Sequence, residues 1–285
     1  MEEDSLPPTT AQEAKRRRAN LLLILVAAAT VLVPFLFWQQ TWFGKPLTDE
    51  QVSEYLADRE HPRHIQHALV QIAERMERGD RSVERWYPQL AELTDSPVAE
   101  LRVTLAWTLG GDTRSELFHQ TLLSLLSDPV LLVRRNAALS LVRFGDASGK
   151  SEVLAILQPL SVFAPVAGVI RFRASEGTSV DVNARVASVQ PAGAAEATGV
   201  HTPLPGTVQR RSAEDGATVA KDQEILVLAP AEDEVWEALR ALYLIGAPED
   251  LPAVEAFTSA EYSDRIQDQA ALAAAQIRKR AAPTQ

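Results

Sequence analysis

The chain has 285 residues, of which 46% are hydrophobic and 23% are charged, a composition typical of folded domains and unlike that of a wholly disordered protein. Its 28 basic and 38 acidic side chains give a formal net charge of -10, which excludes a generally basic surface for nucleic acid. The absence of cysteine excludes disulfides, thiolate metal centres, iron-sulfur clusters and cysteine nucleophiles.

The first predicted element is a membrane anchor. Residues 1–18 are interpreted as a cytoplasmic tail and residues 19–38, which carry no charge, as a transmembrane helix, since roughly 20 apolar residues span the hydrocarbon core. Basic residues before this helix and aromatic residues after it flank the anchor: Lys15, Arg16, Arg17, Arg18, Trp38 and Trp42. The positive-inside rule then predicts a single-pass protein of the inner (cytoplasmic) membrane, with its N-terminus cytoplasmic and its bulk periplasmic or extracytoplasmic.

A cleaved secretory signal is the alternative interpretation of the same run. Such a signal ends in a small-x-small cleavage site. Here the small residues at 27–29 lie inside the apolar run, and no cleavage site follows it. An uncleaved anchor is therefore favoured.

After a linker at residues 39–47, residues 48–158 are predicted to form helical pairs. Pro62, Pro97 and Pro129 each begin a segment of helical periodicity, and proline suits the first turn of a helix. The segments at Pro97 and Pro129 also share an apolar residue followed by arginine, at Arg102 and Arg134. Repeated helix pairs of this length predict an α-solenoid.

The third segment carries the family resemblance. Its pattern is Asp128-Pro129-x3-Val133-Arg134-x2-Ala137-x3-Leu141-x2-Phe144-Gly145-Asp146, which resembles the HEAT-like repeat of phycobilisome lyases. Residues 232–280, which contain VWEALRALYLIG, resemble further helices of the same array, and residues 281–285 form a tail. The resemblance implies a surface that binds proteins.

Residues 159–231 show a different pattern, in which short β-branched runs alternate with glycine and proline. The pattern is duplicated, since AP-x-x-G and EG-x-x-V in the first half match TP-x-P-G and DG-x-x-V in the second. Tight turns are expected at Pro165, Gly168, Gly177, Pro203, Gly206 and Gly216. Two such halves would bury their apolar faces against each other, because neither half forms a core alone.

These residues resemble the biotinyl/lipoyl-like barrel-sandwich hybrid of carboxylase carriers and of membrane-fusion (secretion adaptor) proteins. A carrier of this family attaches its prosthetic group to a lysine between the halves. The connection is expected to run from Gln190 to Val200, and its sequence, QPAGAAEATGV, contains no lysine, so no biotin, lipoate or other cofactor is predicted. The same connection is too short for the helical hairpin of secretion adaptors.

The remaining candidate chemistry favours surface and core roles. His61, His64 and His67 are spaced along one predicted helix, but no acidic residue stands at helical spacing to complete a metal site, so no metal is predicted. No role is assigned to His119 or His201. No serine elbow, phosphate loop, dinucleotide fingerprint or zinc-protease motif is present, so no catalytic residue is predicted.

Two further residue groups have competing interpretations. Arginines recur in the duplicated β segment, where a solvated strand face is favoured over a patch for a partner or a lipid headgroup; they are Arg171, Arg173, Arg210 and Arg211. Trp107 and Trp236 are interpreted as core residues, although exposed aromatic residues on a helical array would indicate a binding surface.

Together these patterns predict a multidomain α plus β fold: an N-terminal transmembrane helix and an α-solenoid interrupted by a small all-β barrel-sandwich hybrid. The predicted function is that of a non-enzymatic, membrane-anchored scaffold or accessory subunit. Its expected partners are other proteins of a membrane or envelope complex and the lipid bilayer, without nucleic acid. A membrane-fusion-type adaptor of an export or efflux system is the main alternative, and a chromophore lyase is the enzymatic one.

Overall fold

The computed structural model describes Thr30 and residues 46–282. The chain divides between Tyr55 and Leu56 into two units, and apart from the start of the first helix the features below belong to the second. The predicted cytoplasmic tail, transmembrane helix and C-terminal residues 283–285 lie outside the described residues, apart from Thr30. The predicted flanking residues lie outside them as well: Lys15, Arg16, Arg17, Arg18, Trp38 and Trp42.

The described chain contains α-helices on both sides of a β segment. They are α1 (Asp49–Ala57), α2 (Pro62–Glu77), α3 (Tyr87–Glu92), α4 (Ala99–Leu109), α5 (Glu116–Leu125), α6 (Leu131–Arg143), α7 (Lys150–Ile156), α8 (Glu232–Ile245), α9 (Leu251–Glu255) and α10 (Asp264–Ala281). Short 3-10 helices occupy Arg81–Trp86, Leu93–Asp95, Pro248–Asp250 and Ala256–Thr258.

The longer helices pack on one another in chain order. Helix α2 contacts α4, α4 contacts α6, α6 contacts α8 and α8 contacts α10. In α4 the buried residues include Leu101, Leu105 and Leu109, whose spacing of four residues places them on one side of the helix. Burial of such apolar stripes is what holds the helices together.

Helices from before and after the β segment share one hydrophobic core. Ala138 and Val142 of α6 and Ile156 of α7 lie in the same buried cluster as Leu239 of α8 and Ile277 of α10. The chain therefore leaves this helical core, forms the β segment and returns to the same core.

The β segment, called the β module below, contains eight strands. They are β1 (Leu160–Phe163), β2 (Gly168–Phe172), β3 (Ser179–Val180), β4 (Arg185–Gln190), β5 (Thr198–His201), β6 (Gly206–Arg211), β7 (Thr218–Val219) and β8 (Glu224–Pro230). They form two four-stranded antiparallel sheets with the orders β1-β8-β6-β3 and β5-β4-β2-β7.

The two halves of the β module complete each other's sheets. Strand β3 of the first half pairs with β6 of the second, and β7 of the second half pairs with β2 of the first. The first and last strands pair as well, with Leu160 opposite Leu228, so the entry and exit of the module are adjacent. Both halves contribute to one core, which contains Ile170, Val186, Val208 and Ile225.

The predicted fold class was wrong. The described chain is a mixed α and β structure of helices and two small antiparallel sheets. The helices between the longest ones vary in length, with six residues in α3, ten in α5, seven in α7 and five in α9. Because these lengths are irregular, the packing does not establish the predicted α-solenoid.

The predicted transmembrane, single-pass and inner-membrane assignments are also contradicted. Within residues 46–282, no helix is both long enough and apolar enough to cross a membrane. The longest described helix, α10, has 18 residues, but it carries six charged side chains: Asp264, Arg265, Asp268, Arg278, Lys279 and Arg280. The physical reason is that α10 is amphipathic, with one face in the protein core and these six charged side chains exposed.

Candidate functional site

A groove with a volume of about 490 Å³ runs across three helices of the helical core, which are α4, α6 and α8. We call it the α4-α6-α8 groove. Its principal lining residues are Trp107 of α4, Asn136, Leu139 and Arg143 of α6, and Arg240 and Leu244 of α8. Because each helix contributes side chains, the groove exists only when the helices before and after the β module pack together.

Two side-chain hydrogen bonds hold α4 against α6 at the floor of the groove. The Ser140 hydroxyl donates to the Ala106 carbonyl at 2.7 Å, and the Asn136 amide donates to the Val103 carbonyl at 3.2 Å. A Cβ atom on Gly110 would lie 2.7 Å from the Ser140 Oγ. The glycine therefore permits the close approach of the two helices that these bonds require.

Large apolar side chains project into this groove instead of being buried. Trp107 is 49% exposed and Leu244 is 51% exposed. The interpretation of Trp107 as a core residue was therefore wrong. Trp107 lies two positions from the buried Leu105, which places it on the opposite side of α4. Trp236 is half-buried and packs against the helical core.

The polar rim of the groove carries more positive than negative charge. Arg143 and Arg240 are both exposed, and Glu237 is the acidic lining residue. Arg240 Nη1 lies 3.5 Å from Glu237 Oε2, and the Arg240 guanidinium lies over the Trp236 ring at 5.7 Å. Arg143 makes no ion pair with any described residue. The Arg143 guanidinium would therefore attract a carboxylate bound in the groove.

The predicted turn residues occupy equivalent places in the two halves of the β module. Gly177 and Gly216 have φ values of 80° and 85°, a conformation that favours glycine. Gly168 and Gly206 begin β2 and β6, where an added Cβ would lie 2.2 Å from the Gln190 carbonyl oxygen and 2.5 Å from that of Ala229. Pro165 and Pro203 lie in the exposed turns before them.

The connection between the halves is shorter than the predicted stretch from Gln190 to Val200. Gln190 is the last residue of β4, and Val200 lies within β5, where it is only 4% exposed and belongs to the core of the β module. Val200 pairs with Ala187 of β4, so the prediction that it belongs to the connection was wrong. The physical reason is that a β-branched residue at this place continues the strand ladder and buries its side chain.

The connection that remains is an exposed hairpin end. Strand β5 begins at Thr198, which leaves residues 191–197 between the strands, and residues 192–197 are exposed. The sequence offers no lysine there. Lys221 lies instead in the exposed turn before β8, away from the place where a carrier holds its prosthetic group.

Three of the arginines of the β module bond within the module. Arg171 Nη1 lies 3.2 Å from Asp215 Oδ2, and Arg210 Nη2 lies 2.8 Å from Glu224 Oε1. Arg211 Nη2 donates to the Ala174 carbonyl at 2.6 Å, and its guanidinium lies over the Phe172 ring at 4.8 Å. These contacts join the two halves or neighbouring strands. The contacts of these three arginines therefore stabilise the β module itself and require no external partner.

The histidines predicted to be surface residues include a cluster that sequence reasoning missed. The Nδ1 atoms of His61 and His64 lie 2.9 Å and 2.7 Å from the same oxygen of Asp58, Oδ2. Hydrogen bonds from His61 and His64 lower the pKa of Asp58 to about 2, so this carboxylate is negatively charged at neutral pH. His67 lies outside the cluster.

The prediction that no acidic residue stands at helical spacing was wrong, because Asp58 stands three residues before His61. Asp58 lies in the turn between α1 and α2, not within α2. The other histidines also have local partners: His119 Nε2 lies 2.6 Å from Asp146 Oδ2, and His201 Nδ1 lies 2.9 Å from the Asn183 carbonyl oxygen. An acidic residue shortly before Pro62 was the available signal.

The chain matches no protein-family model and no curated protein.

Proposed function

We propose that this protein is a non-enzymatic scaffold that binds a segment of a protein partner in the α4-α6-α8 groove. The observation that carries the proposal is the joint exposure of Trp107 and Leu244 on one groove, at 49% and 51%. Tryptophan and arginine are enriched among the residues that dominate binding energy at protein interfaces. Both residue types line this groove.

The dimensions of the groove suit a short peptide segment. Neighbouring packed helices lie roughly 8–10 Å apart, so a segment crossing three helices covers about 20 Å, or about six extended residues. Trp107 and Leu244 would contact an apolar side chain of this segment. Arg143 would pair with an acidic side chain beside it, since Glu237 already lies near Arg240.

A display library of random peptides, selected on the full-length protein, tests this proposal. The selected peptides are expected to contain an aromatic or aliphatic residue flanked by Asp or Glu. Trp107→Ala is expected to weaken their binding about 30-fold, since truncating a central anchor costs about 2 kcal/mol or more. Arg143→Glu is expected to weaken it as well, through repulsion of the acidic residues.

Two variants control for general effects of the substitutions. Leu272→Ala removes another exposed apolar side chain, which is 57% exposed on α10, and Arg173→Glu reverses an exposed charge in the β module. Both should retain wild-type affinity. Selected peptides that bind the two groove variants as tightly as the wild type would refute the proposal.

A further inference from the structure

A second candidate site lies at the start of α2, away from the α4-α6-α8 groove. Asp58, His61 and His64 place one ligand atom each within 4.8 Å of one another. The three residues come from a single turn and the first turn of one helix. We propose that this cluster binds a divalent transition-metal ion of the zinc class through one carboxylate oxygen and two imidazole nitrogens.

Backbone hydrogen bonds position the three side chains close together in the absence of a ligand. The His61 amide donates to the Asp58 carbonyl at 3.3 Å and to the Asp58 carboxylate at 3.2 Å. The His64 amide donates to the His61 carbonyl at 2.8 Å. Pro62 stands at the first position of α2, where its restricted φ favours the start of a helix. The turn therefore keeps Asp58 beside both imidazoles.

The separation of the ligand atoms is close to that of a metal site. Zinc binds imidazole nitrogen and carboxylate oxygen at about 2.0–2.2 Å in a tetrahedral arrangement, which places neighbouring ligand atoms about 3.4 Å apart. The two Nδ1 atoms lie 2.9 Å and 2.7 Å from Asp58 Oδ2. A small outward rotation of the side chains would admit the ion, and the His61 side chain is 63% exposed.

The donor set also selects the class of metal. Imidazole suits zinc, copper and nickel, whereas magnesium and calcium prefer oxygen ligands. Three protein ligands leave the fourth tetrahedral position to water or to a group from another molecule. Asp58 and His64 are both about one quarter exposed, at 26% and 25%, so solvent reaches the cluster.

Zinc titration of the full-length protein, purified without a histidine tag, tests the inference. The expected result is one equivalent of bound Zn²⁺ and no competition by Mg²⁺. Asp58→Asn, His61→Gln and His64→Gln should each weaken binding at least about tenfold, a loss already typical for residues that merely orient a metal ligand. Co²⁺ as a spectroscopic probe should give the visible absorption of a four-coordinate ion in the wild type and lose it in Asp58→Asn.

His201→Gln provides the matched control, because it removes an exposed histidine in the β module and should leave affinity unchanged. His61→Gln keeps the test valid if His64→Gln disturbs folding, since His61 is the most exposed of the three ligands. Absence of Zn²⁺ binding by the wild type would overturn the proposal. Wild-type Zn²⁺ affinity in both Asp58→Asn and His61→Gln would overturn it too, by showing that other side chains hold the ion.

Discussion

Arg135 of α6 and Glu234 of α8 form an ion pair, with Arg135 Nη1 3.8 Å from Glu234 Oε2, that joins the helices on either side of the β module. The Arg135 side chain is only 6% exposed and that of Glu234 28%. Burial raises the pKa of Glu234 and lowers that of Arg135, in each case against the attraction of the opposite charge. Desolvation therefore outweighs the attraction between the two groups.

This balance predicts different results for single and double substitutions. Glu234→Leu should lower the free energy of unfolding by about 3 kcal/mol, because it leaves the Arg135 charge buried without its partner. The double variant Arg135→Met/Glu234→Leu should regain wild-type stability or exceed it, since apolar replacement of a buried pair is often neutral or stabilising. Urea denaturation of the three proteins measures both effects.

Asp233→Leu is the control on the same helix, because the Asp233 side chain is 83% exposed where it pairs with Arg265. Its cost should stay below about 1 kcal/mol. A double variant as unstable as Glu234→Leu would show that this ion pair stabilises the fold beyond its desolvation cost.

A second buried pair is expected to be strongly stabilising. Arg102 Nε lies 2.7 Å from Asp128 Oδ2, with side chains 11% and 6% exposed, and Arg102 Nη1 also donates to the Ser96 carbonyl at 2.6 Å. Arg102→Met retains much of the side-chain volume but leaves Asp128 buried and without its guanidinium. The expected loss is about 3–5 kcal/mol in the free energy of unfolding.

Arg59→Met is the exposed counterpart of that substitution. Arg59 Nη2 lies 3.7 Å from Glu92 Oε2, with side chains 52% and 68% exposed, so solvent screens the pair. Its loss should cost less than about 1 kcal/mol in chemical denaturation. Similar losses in Arg59→Met and Arg102→Met would contradict the role assigned to burial.

The sequence repeat around Arg102 and Arg134 has a direct structural counterpart. The Nη1 atom of each arginine donates to the carbonyl six residues earlier, which belongs to Ser96 and Asp128 respectively. Each carbonyl belongs to the residue before the proline of its segment. This local repeat was visible in the sequence because it depends on residue types at fixed spacing.

The structure also explains why the offset between the two halves of the duplicated β pattern changes by one residue. The matching residues of the two halves are 38 apart at Gly168 and Gly206 but 39 apart at Gly177 and Gly216. In β6 the pairing moves from Val208 opposite Leu228 to Arg210 opposite Val227. A β-bulge absorbs the extra residue, so the later residues of both halves keep equivalent places.

Other features depended on contacts that spacing does not reveal. The exposure of Trp107 follows from which side of α4 packs against α2 and α6, and α4 is apolar on more than one side. The groove also needs α8, which the β module separates from α6 along the chain. Asp58 stands three residues before His61, but it lies in the turn before α2, so its contact with both imidazoles depends on the geometry of that turn.

The dependence of stability on acid pH offers a test of the lowered pKa of the Asp128 carboxyl. Burial raises the pKa of this carboxyl, but hydrogen bonds from Arg102 and the Val130 amide, together with the positive charges of Arg102 and Arg134, outweigh burial and hold the pKa below the ordinary value of 3.8. A carboxyl with a lowered folded pKa stabilises the protein fully above its unfolded pKa and loses that contribution as the pH falls through the folded value. The loss should therefore occur below about pH 4.

Asp128→Asn removes this titration. The difference in unfolding free energy between the wild type and Asp128→Asn should be constant from about pH 5 to pH 7 and should shrink below about pH 4. Urea denaturation at several pH values measures it. Comparing differences cancels the contributions of other carboxyls with lowered pKa, such as those of Asp112 and Asp146. A difference that grows on acidification would mean that the sign assigned to Asp128 is wrong.

We expect that the start of β6 requires glycine at position 206, because there is no room for a side chain. A Cβ atom there would lie 2.5 Å from the Ala229 carbonyl oxygen, which belongs to the paired strand β8. Backbone in a central strand moves less readily than a flexible side chain, so Gly206→Ala should cost about 3 kcal/mol in the free energy of unfolding. Gly193→Ala is the control, because Gly193 has a φ of 76° but no atom within 4 Å of the added Cβ. The control should cost only about 1 kcal/mol, from the left-handed conformation alone. Since both glycines belong to the β module, equal losses would show that the close approach of β6 and β8 relaxes to admit a methyl group, and the packing reason for Gly206 would fail.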